Sequence, residues 1–213
     1  MTSLALSNSK KGLLYGFGIN DADYIINERI NGKRVMCPYY IRWISVVQRG
    51  NDPKEKARKP RYEQSTTSED WRLFSQFKAW LEQQPYWQEL SIDKDILVPG
   101  NKEYGPNTCV LVPSYINQVI TIGGSRSETS IAYGVSKQKG KFHAVLNGKH
   151  LGRFLTWQEA HKTWQLAKAV RIEEAIAQYV TEPWFRTDVA EALTSRVWKL
   201  RLDASQGTQT FTI

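Results

Sequence analysis

Two aspartates, Asp93 and Asp95, are separated in the sequence by a single lysine, Lys94. On an extended strand, side chains two residues apart project to the same side, roughly 6 to 7 Å apart at the backbone. Two carboxylates at that spacing can share a hard cation such as Mg²⁺, and Asn107 offers an amide oxygen further along the chain. The spacing therefore predicts a magnesium site at Asp93, Asp95 and Asn107. In the competing interpretation, both aspartates pair with nearby lysines at the end of a strand.

The composition limits the class of protein. The chain has 213 residues, a formal net charge of +8 and a pI near 9.4, which is typical of proteins that bind polyanions. Its two cysteines, Cys37 and Cys109, are too few for a disulfide framework or a four-thiolate zinc site, so we expect reduced thiols and no zinc. The reduced thiols predict a cytoplasmic compartment. No apolar run reaches the roughly 18 residues of a membrane span, which predicts a soluble protein without membrane contact.

The N-terminal half shows helical spacing of apolar residues in two places. One helix is predicted from Pro38 to Arg49, and a second is predicted after Thr67, which stands three residues before Asp70 in a capping arrangement. The remaining predictions for this half are a loop at 51–61, a hairpin-like pair of strands at 91–113 and a short helix at 113–118.

The excess positive charge is concentrated in one segment after a change of character. Residues 121–130 are small and polar with paired glycines, which predicts a linker. Residues 131–179 contain eight Lys and Arg against three Glu, a net of +5. A short basic module is therefore expected to make the contacts with a polyanion.

This basic module is predicted to be three strands followed by a helix. Turn signals at 137–140 and at Asn147-Gly148 divide three short runs, and apolar and polar residues alternate through 141–146. The sequence TWQE at 156–159 is a capping box that opens a helix. A small basic sheet with one uncovered face can lie in the major groove of DNA while its cations meet phosphates.

The module resembles the DNA-binding module of plant ethylene-response factors, which also occurs attached to phage and homing endonucleases. The resemblance covers about 45 residues and rests on Gly134-Val135, on 140–144, on 151–156 and on Glu159-Ala160. The chain departs from that family at Ser136, where arginine is common. The resemblance and the charge together predict double-stranded DNA as the partner, bound through Ser136, Lys137, Lys139, Lys141, His143, Lys149, His150 and Arg153.

A second resemblance covers most of residues 15–118. The stretches GFGINDADY, CPYYIRW, EDWRLFSQFKAW and IDKDILVPGNKEYGPNTCVLVPSYIN are similar to HNH-type endonuclease-like proteins of tailed bacteriophages, and residues 192–213 resemble the C-terminal helix of that group. This resemblance implies a ββα-metal core, in which a side chain of the first strand deprotonates water and a carboxylate with an asparagine holds a divalent ion. It also implies a location in the cytoplasm of an infected bacterial host.

The chain departs from the HNH pattern at the catalytic positions. Asp93-Lys94 stands where the pattern has Asp-His, and Thr108 stands at the asparagine position, with Asn107 one residue earlier. All three histidines of the chain lie after residue 130. Asp93 and Lys94 are therefore the candidate catalytic residues, with metal-bound water as the alternative base, because lysine accepts a proton near neutral pH only if its pKa falls by several units.

Taken together, these patterns predict an α+β protein with an HNH-like ββα-metal module, a three-stranded antiparallel sheet packed on one helix, and a C-terminal helix. The predicted boundaries are 1–120 for the nuclease-type module, 121–130 for the linker, 131–179 for the DNA-binding module and 180–213 for the helical tail. The expected function is binding of double-stranded DNA with degenerate catalytic residues. Two alternatives stay open: an active magnesium-dependent endonuclease, and an inert scaffold that binds a host or phage protein.

Overall fold

The computed structural model describes residues 12–121 and 131–213. The predicted linker, apart from Thr121, lies outside the described residues. The described chain is a mixed α/β protein with six α-helices and several small sheets. It divides into two compact units, one up to Leu111 and one from Val112 onward. Among the described residues, no helix combines the length and the apolarity needed to cross a membrane.

The first unit is built from short strands around two main helices. Its elements are β1 (Asn27–Ile30), β2 (Lys33–Met36), α1 (Pro38–Asn51), α2 (Pro53–Arg58), β3 (Thr66–Thr67), α3 (Phe74–Glu82), β4 (Ser91–Asp93), β5 (Glu103–Tyr104) and β6 (Val110–Val112). Strands β1 and β2 form an antiparallel hairpin, β3 pairs in parallel with β5, and β4 pairs with β6. The pairing of β4 with β6 matches the hairpin-like segment predicted at 91–113.

Aromatic side chains form the core of this unit. Trp43 of α1 is fully buried and its indole N–H donates to the carbonyl oxygen of Trp71 at 2.8 Å. Phe74 and Phe77 of α3 are buried beside them, with ring centroids of Trp43 and Phe74 5.6 Å apart. The aromatic spacing on the two predicted helices is thus core packing, as expected for a stripe at helical period.

The loop predicted at 51–61 is wrong for its larger part. Residues Pro53–Arg58 form helix α2, and a 3₁₀ turn follows at Pro60–Tyr62. The side chain of Asp52 caps α2 by accepting the backbone N–H of Lys54 at 2.9 Å. Buried Glu55 then pairs with Arg58 and with Lys59. A proline at the first position, a side-chain cap and paired charges stabilise this short helix without any apolar periodicity.

The helix predicted after Thr67 begins later than expected. Thr67 belongs to β3, where its hydroxyl accepts a hydrogen bond from the Asn51 side chain at 2.9 Å. The capping residue is Ser68, which accepts the backbone N–H of Asp70 and starts a 3₁₀ turn at Glu69–Trp71. Helix α3 itself starts at Phe74. Pairing of β3 with β5 holds Thr67 in extended conformation, and this overrides its local capping preference.

The second unit contains the predicted three-stranded sheet. Its elements are α4 (Ser114–Ile120), β7 (Val135–Gln138), β8 (Lys141–Leu146), β9 (Lys149–Phe154), α5 (Trp157–Tyr179) and α6 (Thr187–Gln206). The sheet is antiparallel in the order β7-β8-β9 and packs on α5. The sheet, the short helix α4 and the helix near the C-terminus are confirmed.

The capping box at the start of α5 is also confirmed. The Thr156 hydroxyl accepts the backbone N–H of Glu159 at 3.3 Å, and the Glu159 carboxylate accepts the backbone N–H of Thr156 at 3.2 Å. Both hydrogen bonds satisfy backbone donors that the first helical turn leaves without partners. The chain therefore turns sharply from β9 into α5, and the helix folds back against the sheet.

Candidate nucleic-acid interface

The three-stranded sheet has two faces with different neighbours. Val135 and Ala144 are buried on the face that packs against α5. The register pairs Ser136 with His143, and His143 with Arg153. Because directly opposite residues project to the same side, these three side chains form one cross-strand row on the face away from the helix. We call this the outer face of the sheet.

Three further residues complete the outer face. Lys141 precedes His143 by two residues on β8 and therefore shares its side, and Gln138 is the register partner of Lys141. The His150 ring lies 5.4 Å from the His143 ring, centroid to centroid. The outer face thus carries the polar residues Ser136, Gln138, Lys141, His143, His150 and Arg153, together with Val145, the register partner of His150. Sequence reasoning missed Gln138, although its position two residues after Ser136 was sufficient to place it there.

Two tight turns bring additional lysines to the ends of the sheet. Lys139 and Gly140 have positive φ angles of 47° and 76°, and Asn147 and Gly148 have 49° and 79°. Two successive residues with positive φ are characteristic of the type I′ hairpin turn. The turn predicted at Asn147-Gly148 is therefore confirmed. Lys139 is exposed within the first turn, and Lys149 is exposed directly after the second.

Lys137 is the predicted DNA-binding residue that lies apart from the others. It pairs with Phe142, on the face that packs against α5, and its ammonium nitrogen is 5.5 Å from the centre of the Phe142 ring. Its side chain is exposed at the edge of the sheet. Of the predicted set, the outer face carries Ser136, Lys141, His143, His150 and Arg153, the turns carry Lys139 and Lys149, and Lys137 lies on the opposite side.

The positive charge of this region is not neutralised locally. Between Ile131 and Gln158 the sequence contains no Asp or Glu. Within the part of the chain that the structure describes, neither Lys141 nor Arg153 forms an ion pair, and the same holds for Lys139 and Lys149. These side chains are free to contact an anion without breaking an existing ion pair.

The positive environment of the outer face affects the pKa of His143. Partial burial, and then the charges of Arg153 and His150, lower the pKa of His143. The free protein therefore favours neutral His143 near pH 7. A nearby phosphate would favour the protonated form, since an opposite charge raises the pKa of an imidazole.

Close packing on the opposite face fixes the sheet to α5. Gly134 has φ +69°, and a Cβ atom added there would lie 1.9 Å from Cδ1 of Trp164. His161 stacks on the same indole at 5.5 Å between centroids. Its Nε2 accepts the backbone N–H of Thr210 at 3.0 Å, so its Nδ1 donates to the carbonyl oxygen of Tyr133 at 3.0 Å. His161 is therefore a structural residue, held neutral by burial, which lowers its pKa.

In the segment 91–113, for which the sequence predicted nuclease-like residues, Asp93 ends strand β4 as a buried acceptor. Its Oδ1 accepts the backbone N–H groups of Asp95 and Ile96 at 2.9 and 2.8 Å. Burial, and then the neighbouring charge of Asp95, raises the pKa of Asp93 to about 6. Asp95 lies beyond the end of the strand, so the extended geometry used to predict a shared cation does not reach it.

Lys94 occupies the position of a counter-ion. It is 6 % exposed, and its ammonium group donates to Asp95 Oδ2 and to the carbonyl oxygen of Asn101, both at 2.9 Å. The ammonium nitrogen also lies 5.7 Å from the centre of the Tyr104 ring. These contacts use the lysine as a charged donor, which is the opposite of what a general base requires.

The polar residues of the second half of this segment lie in different local environments. Asn107 is exposed in the turn after β5, and the Thr108 hydroxyl donates to the carbonyl oxygen of Glu103 at 2.9 Å. Cys109 is buried, and burial raises the pKa of its thiol to about 12. A different residue, Asn101, organises the loop: its side-chain amide donates to the carbonyl oxygens of Lys94 and Glu103, both at 2.7 Å.

The donor set around Asp93 can be compared with the needs of Mg²⁺, which binds carboxylate oxygens and water in octahedral geometry. One oxygen of Asp93 already accepts two backbone N–H groups, and Asp95 is paired with Lys94. In the described ranges no group of three or more His, Cys, Asp or Glu is placed to hold a metal ion. Asp95 therefore has the lysine partner of the competing interpretation, whereas Asp93 is held by backbone N–H groups.

Comparison with family models, with curated proteins and with solved structures finds no match to this chain.

Proposed function

We propose that this protein binds double-stranded DNA through the outer face of the sheet β7-β8-β9. The observation that carries the proposal is the cross-strand row of Ser136, His143 and Arg153, extended by Lys141, on a face without acidic residues. Neutralising phosphates releases counter-ions from the duplex, which is the main source of affinity for such a surface. The lysines at the two turns add further phosphate contacts along the strand ends.

The shape of the surface favours a duplex over a single strand. The major groove of B-DNA is about 12 Å wide and admits a β-ribbon. Single-strand binding relies on aromatic side chains that stack on bases, and the outer face has no Phe, Tyr or Trp. Arg153, Gln138 and Ser136 carry the donors and acceptors that can contact base edges.

The nuclease-like segment is proposed to be a structural element that does not cleave DNA. Strands β4 and β6 pair with each other and helix α4 follows β6, an order that supports the proposal of a ββα-like element. Its chemistry is different, because Lys94 donates its protons and the Asp93 carboxylate is partly used by backbone N–H groups. Because Lys94 and Asp93 are already engaged in internal hydrogen bonds, a structural role is favoured over a catalytic one.

Metal-dependent cleavage is the second candidate function, and one observation favours it. The charge of Asp95 contributes to the raised pKa of Asp93, so the two carboxylates repel each other in their ionised forms. A divalent cation would relieve this repulsion. Binding of that cation would require displacement of the Lys94 ammonium from Asp95.

Salt-dependent binding tests the main proposal. Fluorescence anisotropy with a duplex is measured at several salt concentrations for the wild type, for Lys141→Gln/Arg153→Gln, and for a control of equal charge, Lys102→Gln/Lys162→Gln. Each phosphate contact contributes about 0.9 to the slope of log affinity against log salt, so the outer-face variant is expected to lower the slope by up to about 2. Equal slopes for this variant and the control would refute the proposed interface.

A further inference from the structure

The first unit contains an exposed β-hairpin that the proposed interface does not use. Strands β1 and β2 are joined by Asn31 and Gly32, whose φ angles of 52° and 77° make another type I′ turn. Every residue from Asn27 to Val35 is exposed. Because these residues are exposed, burial adds little to the stability of this hairpin. An isolated two-stranded hairpin is at best marginally stable in water.

The two faces of the hairpin differ in charge. Arg29 and Arg34 are direct register partners and therefore project to the same side. Asn27 lies on that side too, because its Oδ1 accepts a hydrogen bond from Arg34 Nε at 2.8 Å. The other face carries Glu28, Ile30, Lys33 and Val35. We call the side with Arg29, Arg34 and Asn27 the arginine face.

Like charges placed directly opposite each other destabilise a β-ladder. In residues 12–121 and 131–213, no carboxylate pairs with Arg29 or Arg34 to relieve this repulsion. The hydrogen bond to neutral Asn27 orients Arg34 without cancelling its charge. An external anion contacting both guanidinium groups would convert the repulsion into attraction.

We propose that the arginine face is a second contact for duplex DNA and that it binds the phosphate backbone. This inference rests on the proposed function and adds to it a site in the other unit of the chain. The planar guanidinium group matches phosphate oxygens in bidentate geometry. A two-stranded ribbon also fits the major groove of DNA, whereas the major groove of duplex RNA is too deep and narrow for side chains to read.

The test uses the full chain with the exchange Arg29→Gln/Arg34→Gln. The control, Lys33→Gln/Lys102→Gln, removes the same charge from the other hairpin face and from the exposed residue before β5. We expect the arginine variant to lower the salt slope for duplex DNA by up to about 2, and the control to leave it nearly unchanged. Hydroxyl-radical footprinting is expected to show a shorter protected stretch for the arginine variant alone.

A charge-preserving exchange, Arg29→Lys/Arg34→Lys, is expected to keep most of the slope and to lose the part of the affinity that depends on bidentate contacts. Circular dichroism checks that each variant is folded, and removal of like charges is not expected to lower its thermal midpoint. An arginine variant with the slope and footprint of the control would overturn the inference, as would equal competition by duplex RNA.

The outcomes separate this inference from the proposed function. Wild-type binding that is weakened by Lys141→Gln/Arg153→Gln and not by Arg29→Gln/Arg34→Gln refutes the hairpin contact alone. Absence of any salt-dependent DNA binding by the wild type refutes both.

Discussion

Lys94 and Asp95, adjacent in the chain, form an ion pair in which the lysine is almost fully buried, with 2.9 Å between Nζ and Oδ2. A lysine withdrawn from water requires hydrogen-bond partners, and the Asn101 carbonyl oxygen supplies the second one. The pair therefore stabilises the loop after β4. It also engages as a hydrogen-bond donor the lysine that the proposed resemblance to HNH-type endonucleases would align with their histidine base.

The first prediction is that the purified protein does not nick DNA. Supercoiled plasmid incubated with Mg²⁺ or Mn²⁺ is expected to remain supercoiled in the presence of the wild type and of Asp93→Ala/Asp95→Ala alike. The physical reason is that Lys94 donates its protons to Asp95 and to the Asn101 carbonyl oxygen and is therefore not placed to accept one from water. Metal-dependent nicking by the wild type that disappears in the double variant would establish the endonuclease instead.

The second prediction concerns stability and pH at Asp93. Its pKa is about 6 in the folded protein, against an ordinary value of 3.8, so the folded state binds more protons between these values. The neutral form favours folding, and its contribution is lost as the pH rises through about 6. Asp93→Asn stays neutral and keeps an oxygen for the two backbone N–H groups, so it is expected to raise the free energy of unfolding at pH 8 by about 1 to 3 kcal/mol.

Urea denaturation at pH 8 and at pH 4 measures this effect. The advantage of Asp93→Asn is expected to shrink at pH 4, where the wild-type carboxyl group is protonated in the folded state. Exposed Asp23 provides the control, because Asp23→Asn is expected to change stability by less than about 0.5 kcal/mol at both pH values. A loss of stability in Asp93→Asn at pH 8 would show that the ionised carboxylate is the native acceptor.

Local signals made the second unit predictable. The Asn-Gly turn at 147–148 and the Thr156–Glu159 capping box each specify a backbone geometry within four residues, and both appear in the structure. The same Asn-Gly signal at 31–32 escaped the sequence prediction, because the flanking strands are polar and exposed. The Asn-Gly pair alone is a hairpin-turn signal and would have identified this hairpin, and the sequence Asp52-Pro53 likewise predicts the start of α2.

The features that could not be predicted from the sequence depend on contacts between residues far apart in the chain. The local sequence predicts that Thr67 caps a helix. In the structure Thr67 instead pairs with Tyr104 of β5, which is far from it in the sequence. The role of Lys94 likewise depends on the Asn101 carbonyl oxygen, which a reading of adjacent residues does not bring near. In this segment, the residue types were sufficient to predict candidate site residues. Which of their atoms already form hydrogen bonds depends on tertiary contacts that the sequence does not reveal.

The third prediction tests how the sheet is held on α5. Gly134→Ala would place a methyl group on the Trp164 indole at a positive φ, and is expected to lower the free energy of unfolding by about 2 to 4 kcal/mol. Gly140→Ala is the matched control, since it also has a positive φ but has no atom within 4 Å of the added Cβ. It is expected to cost about 1 kcal/mol. Equal losses in urea denaturation would show that backbone strain alone explains both.

The fourth prediction concerns the pH dependence of DNA binding. Burial, Arg153 and His150 lower the pKa of His143 in the free protein, whereas a bound phosphate favours its protonated form. Binding is therefore coupled to proton uptake, and affinity is expected to rise about 3- to 10-fold from pH 7.5 to pH 5.5 at constant ionic strength.

His143→Gln keeps a polar side chain on the outer face and removes this titration. Its affinity for the same duplex is expected to change less with pH than that of the wild type, and calorimetry in two buffers of different ionisation enthalpy is expected to show reduced proton uptake. His150 shares the face and its ring lies 5.4 Å away, so a residual pH dependence that disappears only in His143→Gln/His150→Gln is assigned to that second imidazole. Unchanged proton uptake in the double variant would exclude the outer face as the source, because no other imidazole lies on it.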